Sequence, residues 1–153
     1  MSTIVVATRI AAPIEACFDL ARDVDAHVRT ASFTGERIVA GRATGLLELG
    51  DTLTFEAVHL GFRRRLTAVI VEFDRPHRFV DAMTRGAFSS LRHVHEFTFE
   101  SGQTLMTDTL TWRSPLGPLG LLADRLFVAR HLRDFLVAKQ SRLKAEAEGL
   151  ARH

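Results

Sequence analysis

The chain has one cysteine, no tyrosine and one tryptophan among 153 residues. A lone thiol, Cys17, allows no intrachain disulfide and no cysteine metal cluster, so a reducing cytoplasm is the expected compartment. An excess of one charge is also lacking. Twenty basic and 18 acidic residues leave a formal net charge of +2, too weak a field to suggest a nucleic-acid partner. The missing tyrosines remove a common base-stacking surface as well. No apolar run approaches the roughly 20 residues that cross a bilayer, and Met1 to Ala12 lacks a basic region followed by a sustained apolar core. Neither export nor stable membrane insertion is expected.

What remains is an ordinary globular composition, 46% hydrophobic and 25% charged. A chain of this length sustains its own core, so a single domain over 1–153 is expected, as a monomer or weak homodimer. Thr3 to Ile10 is rich in β-branched residues and reads as a strand, with Ile4, Val6, Thr8 and Ile10 on one face. From Pro13 the apolar spacing becomes helical, through Ile14, Cys17, Phe18 and Ala21, which makes Cys17 a packing residue. Asp25 to Phe33 fits a second short helix or a loop, and Gly35 to Leu47 fits a strand and a turn.

Strands then follow one another at Thr52 to Leu60, Phe62 to Phe73, His77 to Met83, Leu91 to Phe99 and Leu105 to Trp112. The connections are short and carry Gly61, Pro76, Gly86 and Gly102, so the sheet is antiparallel. A glycine and proline corner at Ser114 to Gly120 leads into a final amphipathic run. Leu119, Leu122, Leu126, Ala129, Leu132 or Arg133, Leu136 and Leu143 form its stripe, and Lys139 falls among the charged residues assigned to the wet face. A helix to Glu148, with Gly149 as its stop, is about 45 Å long at 1.5 Å per residue. The apolar stripe needs a cover, and a curved sheet wrapped around the helix supplies one.

Four segments, in this order, resemble the START and Bet v 1-like (SRPBCC) superfamily, in particular its bacterial polyketide cyclase/dehydrase or lipid-transport-like branch. They are Ile10-Ala11-Ala12-Pro13 entering Ile14 to Phe18, Leu46 to Asp51, Phe73-Asp74-Arg75-Pro76-His77-Arg78-Phe79, and Leu116-Gly117-Pro118-Leu119. The resemblance covers essentially the whole chain. It implies an α+β helix-grip fold, in which a curved antiparallel sheet closes over the C-terminal helix and leaves an internal cavity for an apolar ligand. It implies no shared catalytic motif, so function has to be argued from the cavity lining.

Alternation along the last strand puts Met106, Asp108, Leu110 and Trp112 on one face, chosen as the concave side. Asp108 is the anomaly there, because a carboxylate among apolar side chains is costly unless paired, hydrated or functional. On the preceding strand His93, His95, Phe97 and Phe99 share a face, and pairing about Gly102 brings His95 near Asp108 to within about one register step. His77, Phe79, Asp81 and Met83 form a second inward set, and Leu53, Phe55, Ala57 and His59 a third. Arg64 joins Phe62, Leu66 and Ile70.

The ligand-binding set expected from these faces is Phe55, His59, Arg64, Phe79, Asp81, His93, His95, Phe97, Met106, Asp108, Leu110 and Trp112, with Leu122 and Leu126 from the helix. The expected ligand is a small hydrophobic molecule, a lipid, polyketide or similar aromatic or isoprenoid compound. The alternative is a polyketide cyclase or dehydratase-like enzyme in which His95 and Asp108 transfer protons. No cofactor is expected. His93 and His95 alone make no metal site, and no H-E-x-x-H, Walker A, G-x-G-x-x-G or G-x-S-x-G pattern is present. Outward arginines of Arg63-Arg64-Arg65 read as strand solvation.

Overall fold

The computed structural model describes residues 1–152. One seven-stranded antiparallel sheet runs in the order β1-β7-β6-β5-β4-β3-β2. Its strands are β1 (Ser2–Ile10), β2 (Arg37–Gly41), β3 (Thr52–His59), β4 (Phe62–Asp74), β5 (Arg78–Arg85), β6 (Ser90–Glu100) and β7 (Gln103–Arg113). Two short helices, α1 (Ile14–Ala21) and α2 (Val24–Thr30), separate β1 from β2. The chain ends in α3 (Gly117–Ala123), a π-helical segment (Asp124–Val128) and α4 (Ala129–Ala151).

Local sequence explains the joints. Asp23 caps α2 by accepting the backbone N–H of Asp25 at 2.9 Å, satisfying a donor that the helix cannot. Ser101 and Gly102 have φ of 52° and 79°, the left-handed pair of a type I′ turn whose twist matches its strands. That two-residue loop fixes the β6–β7 register, so His95 stands directly opposite Asp108. Leu60 and Gly61, at 52° and 81°, do the same between β3 and β4.

The core lies where α1 and α4 meet the concave sheet. Phe18 of α1 is fully buried and meets Phe73, Phe79 and Phe97 edge-on, with centroids 5.5, 5.3 and 5.3 Å away. Cys17 is fully buried beside it, as its helical spacing predicts. A second cluster gathers Ile4, Val6, Leu91, Leu110 and Trp112 against Leu136 of α4.

The terminal helix departs from the sequence expectation in two ways. It continues through Gly149 to Ala151, and its periodicity is broken by the π segment. Because a π turn shifts the helical phase, the predicted stripe does not run through as one face. Leu119, Leu122 and Leu126 are more than half exposed, whereas Leu136, Lys139, Gln140, Leu143 and Ala147 form the buried face of α4. Lys139 therefore belongs to the interior and not to the wet face. Asp124 anchors the π segment, accepting hydrogen bonds from Ser2 at 3.0 Å and Ser114 at 2.6 Å.

On the convex face the arginine run has a specific partner. Arg63 and Arg65 of β4, with Arg37 of β2, all bond the carboxylate of Glu56 on β3, at distances from 2.6 to 3.1 Å. The three guanidinium groups shield Glu56 from solvent and pull its pKa down to about 2.

Candidate ligand cavity

Between the concave sheet and the C-terminal helix lies a cavity of about 530 Å³. Leu53, Phe55, Ala57, Leu66, Ala68 and Ile70 supply its β3 and β4 wall, and Val128, Leu132, Phe135 and Leu136 face them from the helix. These are the inward positions of period-two strands, so one alternation that buries the core also lines the cavity. Leu60, Phe62 and Leu116 reach its rim and are exposed.

A polar group of side chains occupies one part of this apolar wall. His95, on β6, is bracketed by two carboxylates: its Nε2 lies 2.9 Å from Asp81 Oδ2 and its Nδ1 lies 2.9 Å from Asp108 Oδ1. Carboxylates only accept, so both ring nitrogens carry protons and the ring is an imidazolium. Burial by itself lowers the His95 pKa, but the charges of Asp108 and Asp81 outweigh it and raise the pKa to about 9. Phe79 stacks on the ring at 4.1 Å and His93 at 3.8 Å.

His93 is the opposite case. Burial and the neighbouring His95 charge lower its pKa, so it is the neutral member of the pair. Its Nε2 donates to Asp108 Oδ1 at 3.1 Å, and its Nδ1 makes no hydrogen bond to a described residue. Burial opposes the charge on Asp108, yet the two histidines hold its carboxyl well below the usual range. Gln140 of α4 completes the arrangement, donating Nε2 to Asp108 Oδ2 at 2.5 Å and to the Val6 carbonyl at 3.0 Å. Thr8 donates to Gln140 Oε1 at 2.6 Å. The anomalous carboxylate of β7 is thus paired from three sides.

A second polar chain lies along α2 and α4. Lys139 Nζ donates to His27 Nδ1 at 2.6 Å, and His27 Nε2 in turn donates to Glu36 at 2.6 Å. Burial lowers the Lys139 pKa, and burial and the Lys139 charge lower that of His27. His59 and His131 form a third contact, with Nδ1 and Nε2 2.9 Å apart.

Eight of the expected ligand-binding residues line the cavity: Phe55, His59, Arg64, Phe79, Asp81, His93, His95 and Leu110. Asp108 stands behind His93 and His95 and does not face the cavity space. Phe97, Met106 and Trp112 are buried in the core and lie off the lining, because the sheet's curvature closes α1 and α4 over the ends of β6 and β7. Leu122, in α3, and Leu126, within the π segment, lie off the lining too and are exposed. His77 is exposed in the β4–β5 turn and Phe99 is half exposed near the β6 end, so neither joins the inward sets. His27, Glu36, His131 and Lys139 line the cavity without having been expected there. Lys139 and Gln140 fall three and four residues after Leu136, on the same helical face, a spacing signal that the charge of Lys139 masks.

This architecture has known counterparts. The protein TTHA0849 from Thermus thermophilus superposes with a TM-score of 0.80 over 98% of this chain and 99% of its own, at 20% identity. A START superfamily protein from Mycobacterium smegmatis gives 0.72 over 97% and 98%, at 13% identity. The chain has the START/Bet v 1-like helix-grip fold. Ginseng major latex-like protein 151 from Panax ginseng shares it, with a TM-score of 0.67 over 95% and 97% at 14% identity. No protein-family profile matches the sequence, and neither does any curated protein. Among the described residues no helix is long and apolar enough to cross a membrane.

Proposed function

We propose that the protein binds one small hydrophobic ligand, a lipid, polyketide or similar aromatic or isoprenoid molecule, in the cavity between sheet and helix. The observation that carries this reading is the cavity itself, about 530 Å³ with a mostly apolar wall and a few convergent polar groups. That volume is in the range of small-molecule sites, roughly 300–1,000 Å³. Phe55, Phe79 and Leu110 supply apolar contact, while His59, Arg64, Asp81 and His93 orient a polar substituent. The protein acts as a cytoplasmic monomer or weak homodimer, consistent with its lone buried thiol and weak net charge. Extraction of the natively purified protein, followed by mass spectrometry, tests this. One apolar compound per chain is expected, and a ligand-free protein that also rejects apolar probes counts against it.

The bracketed His95 favours a second reading, an enzyme of the cyclase or dehydratase type. An imidazolium between two carboxylates is a proton store facing an apolar space, with His95 as the proton donor and Asp108 as its charged partner, holding it in position. Both His95 N–H groups are already donated, so proton delivery requires Asp81 to move away from Nε2 and leave that N–H to the substrate. His95→Gln and Asp108→Asn variants that fold normally and still bind ligand, but form no product, support this reading. Unchanged turnover rejects it.

A further inference from the structure

We propose that Asp81, His93 and His95 form a site for one divalent transition-metal cation in the cavity wall. One donor atom from each residue lies within 4.8 Å of the other two. All three residues line the cavity. The sheet brings them together, since Asp81 and His93 are cross-strand partners on β5 and β6 and His95 follows two residues later on the same face. His95 Nε2 and Asp81 Oδ2 are 2.9 Å apart. Two donors bound to one ion by bonds of about 2.1 Å are about 3 Å apart at the right angles of an octahedral site and about 3.4 Å apart in a tetrahedral one, so the pair needs to open little or not at all.

The surroundings match what such a site needs. A ligating histidine commonly gives its other ring N–H to a carboxylate, which fixes the ring and strengthens it as a ligand. Here Asp108 Oδ1 takes His95 Nδ1 at 2.9 Å and His93 Nε2 at 3.1 Å, so a single carboxylate orients both rings. Asp108 is itself held by Gln140. This assigns coordination to His95 Nε2 and His93 Nδ1. The His93 ring stacks on His95 with an interplanar angle of 27°, and its Nδ1 makes no hydrogen bond to a described residue. Asp81 and Asp108 supply two negative charges, and Lys139, whose charge reaches both, is held on His27.

Two imidazoles and a carboxylate suit zinc, iron(II) or cobalt(II), whereas magnesium and calcium prefer all-oxygen sites. Three protein ligands leave at least one coordination position open, and that position faces the cavity. The site stands on its own donors and does not depend on the hydrophobic-ligand reading.

The test uses tag-free, chelator-stripped, full-length protein titrated with cobalt(II) and, by calorimetry, with zinc(II). One ion per chain and cobalt ligand-field bands are expected. Asp81→Asn and His93→Ala should weaken binding by at least about a hundredfold and Asp108→Asn by about 10–100-fold. His131→Ala, which alters the separate His59–His131 pair, should leave it unchanged. Melting of the metal-free variants checks that they fold. If one does not, the wild type alone decides, because diamagnetic zinc(II) should shift the ring NMR signals of His93 and His95 and leave those of His59 and His131 in place. Absence of binding, affinity equal to wild type in Asp81→Asn and His93→Ala, or shifts confined to His59 and His131 would overturn the proposal.

Discussion

His95 and Asp108 face each other across β6 and β7, with Nδ1 2.9 Å from Oδ1. Removing one member of a buried ion pair leaves the other uncompensated, at a cost of about 3–5 kcal/mol. Asp108→Ala should therefore lose stability of that order in urea unfolding, since His93, His95 and Gln140 all lose their acceptor.

The same pair makes stability depend on pH. In the metal-free protein His95 holds its proton up to about 9, against an ordinary value of 6.5. A raised pKa stabilises the folded state fully below pH 6.5, and that contribution is lost as pH rises through 9. The urea midpoint of the wild type should fall across this window, and His95→Gln should flatten the fall. Histidine NMR titration should place the His95 transition near 9 and that of His93 below the ordinary histidine value.

Glu56 gives the opposite sign. Its pKa, drawn down to about 2 by Arg37, Arg63 and Arg65, keeps the carboxylate charged in mild acid. Its contribution is present above the ordinary value of 4.5 and disappears as pH falls through 2. Glu56→Gln should unfold earlier in urea at neutral pH and show a shallower loss of stability in acid.

Much of this arrangement was legible in the chain. The tight turn at Ser101-Gly102 and strict alternation on both sides of it bring His95 to Asp108, and the β3 and β4 faces follow from the same rule. Other features rest on tertiary geometry. Nothing in the alternation of β7 distinguishes Leu110, which lines the cavity, from Met106 and Trp112, which the core encloses. That choice depends on where α1 and α4 cross the curved sheet. Lys139 was hidden by its type, since a lysine is assigned to water unless a buried partner such as His27 is known. The π segment at Asp124–Val128 carries no sequence marker of its own, and its change of helical phase leaves Leu122 and Leu126 off the buried face of α4.

Phe18 joins the helical layer to three aromatic rings of the sheet and is fully buried. Phe18→Ala should cost about 3–5 kcal/mol, read as a lowered urea midpoint.

The central claim is that the cavity takes an apolar ligand, and its most direct test compares wild type with a filled cavity. Ala57 is a small residue of the β3 wall, and Ala57→Phe places a ring in the space that the ligand would occupy. Titration of delipidated protein with a fluorescent fatty-chain or aromatic probe should show one saturable site in the wild type. In Ala57→Phe, binding should be at least about tenfold weaker, a loss of about 1.4 kcal/mol, with the fold retained by circular dichroism. Probe binding of equal strength in both proteins, or none in either, would contradict the account.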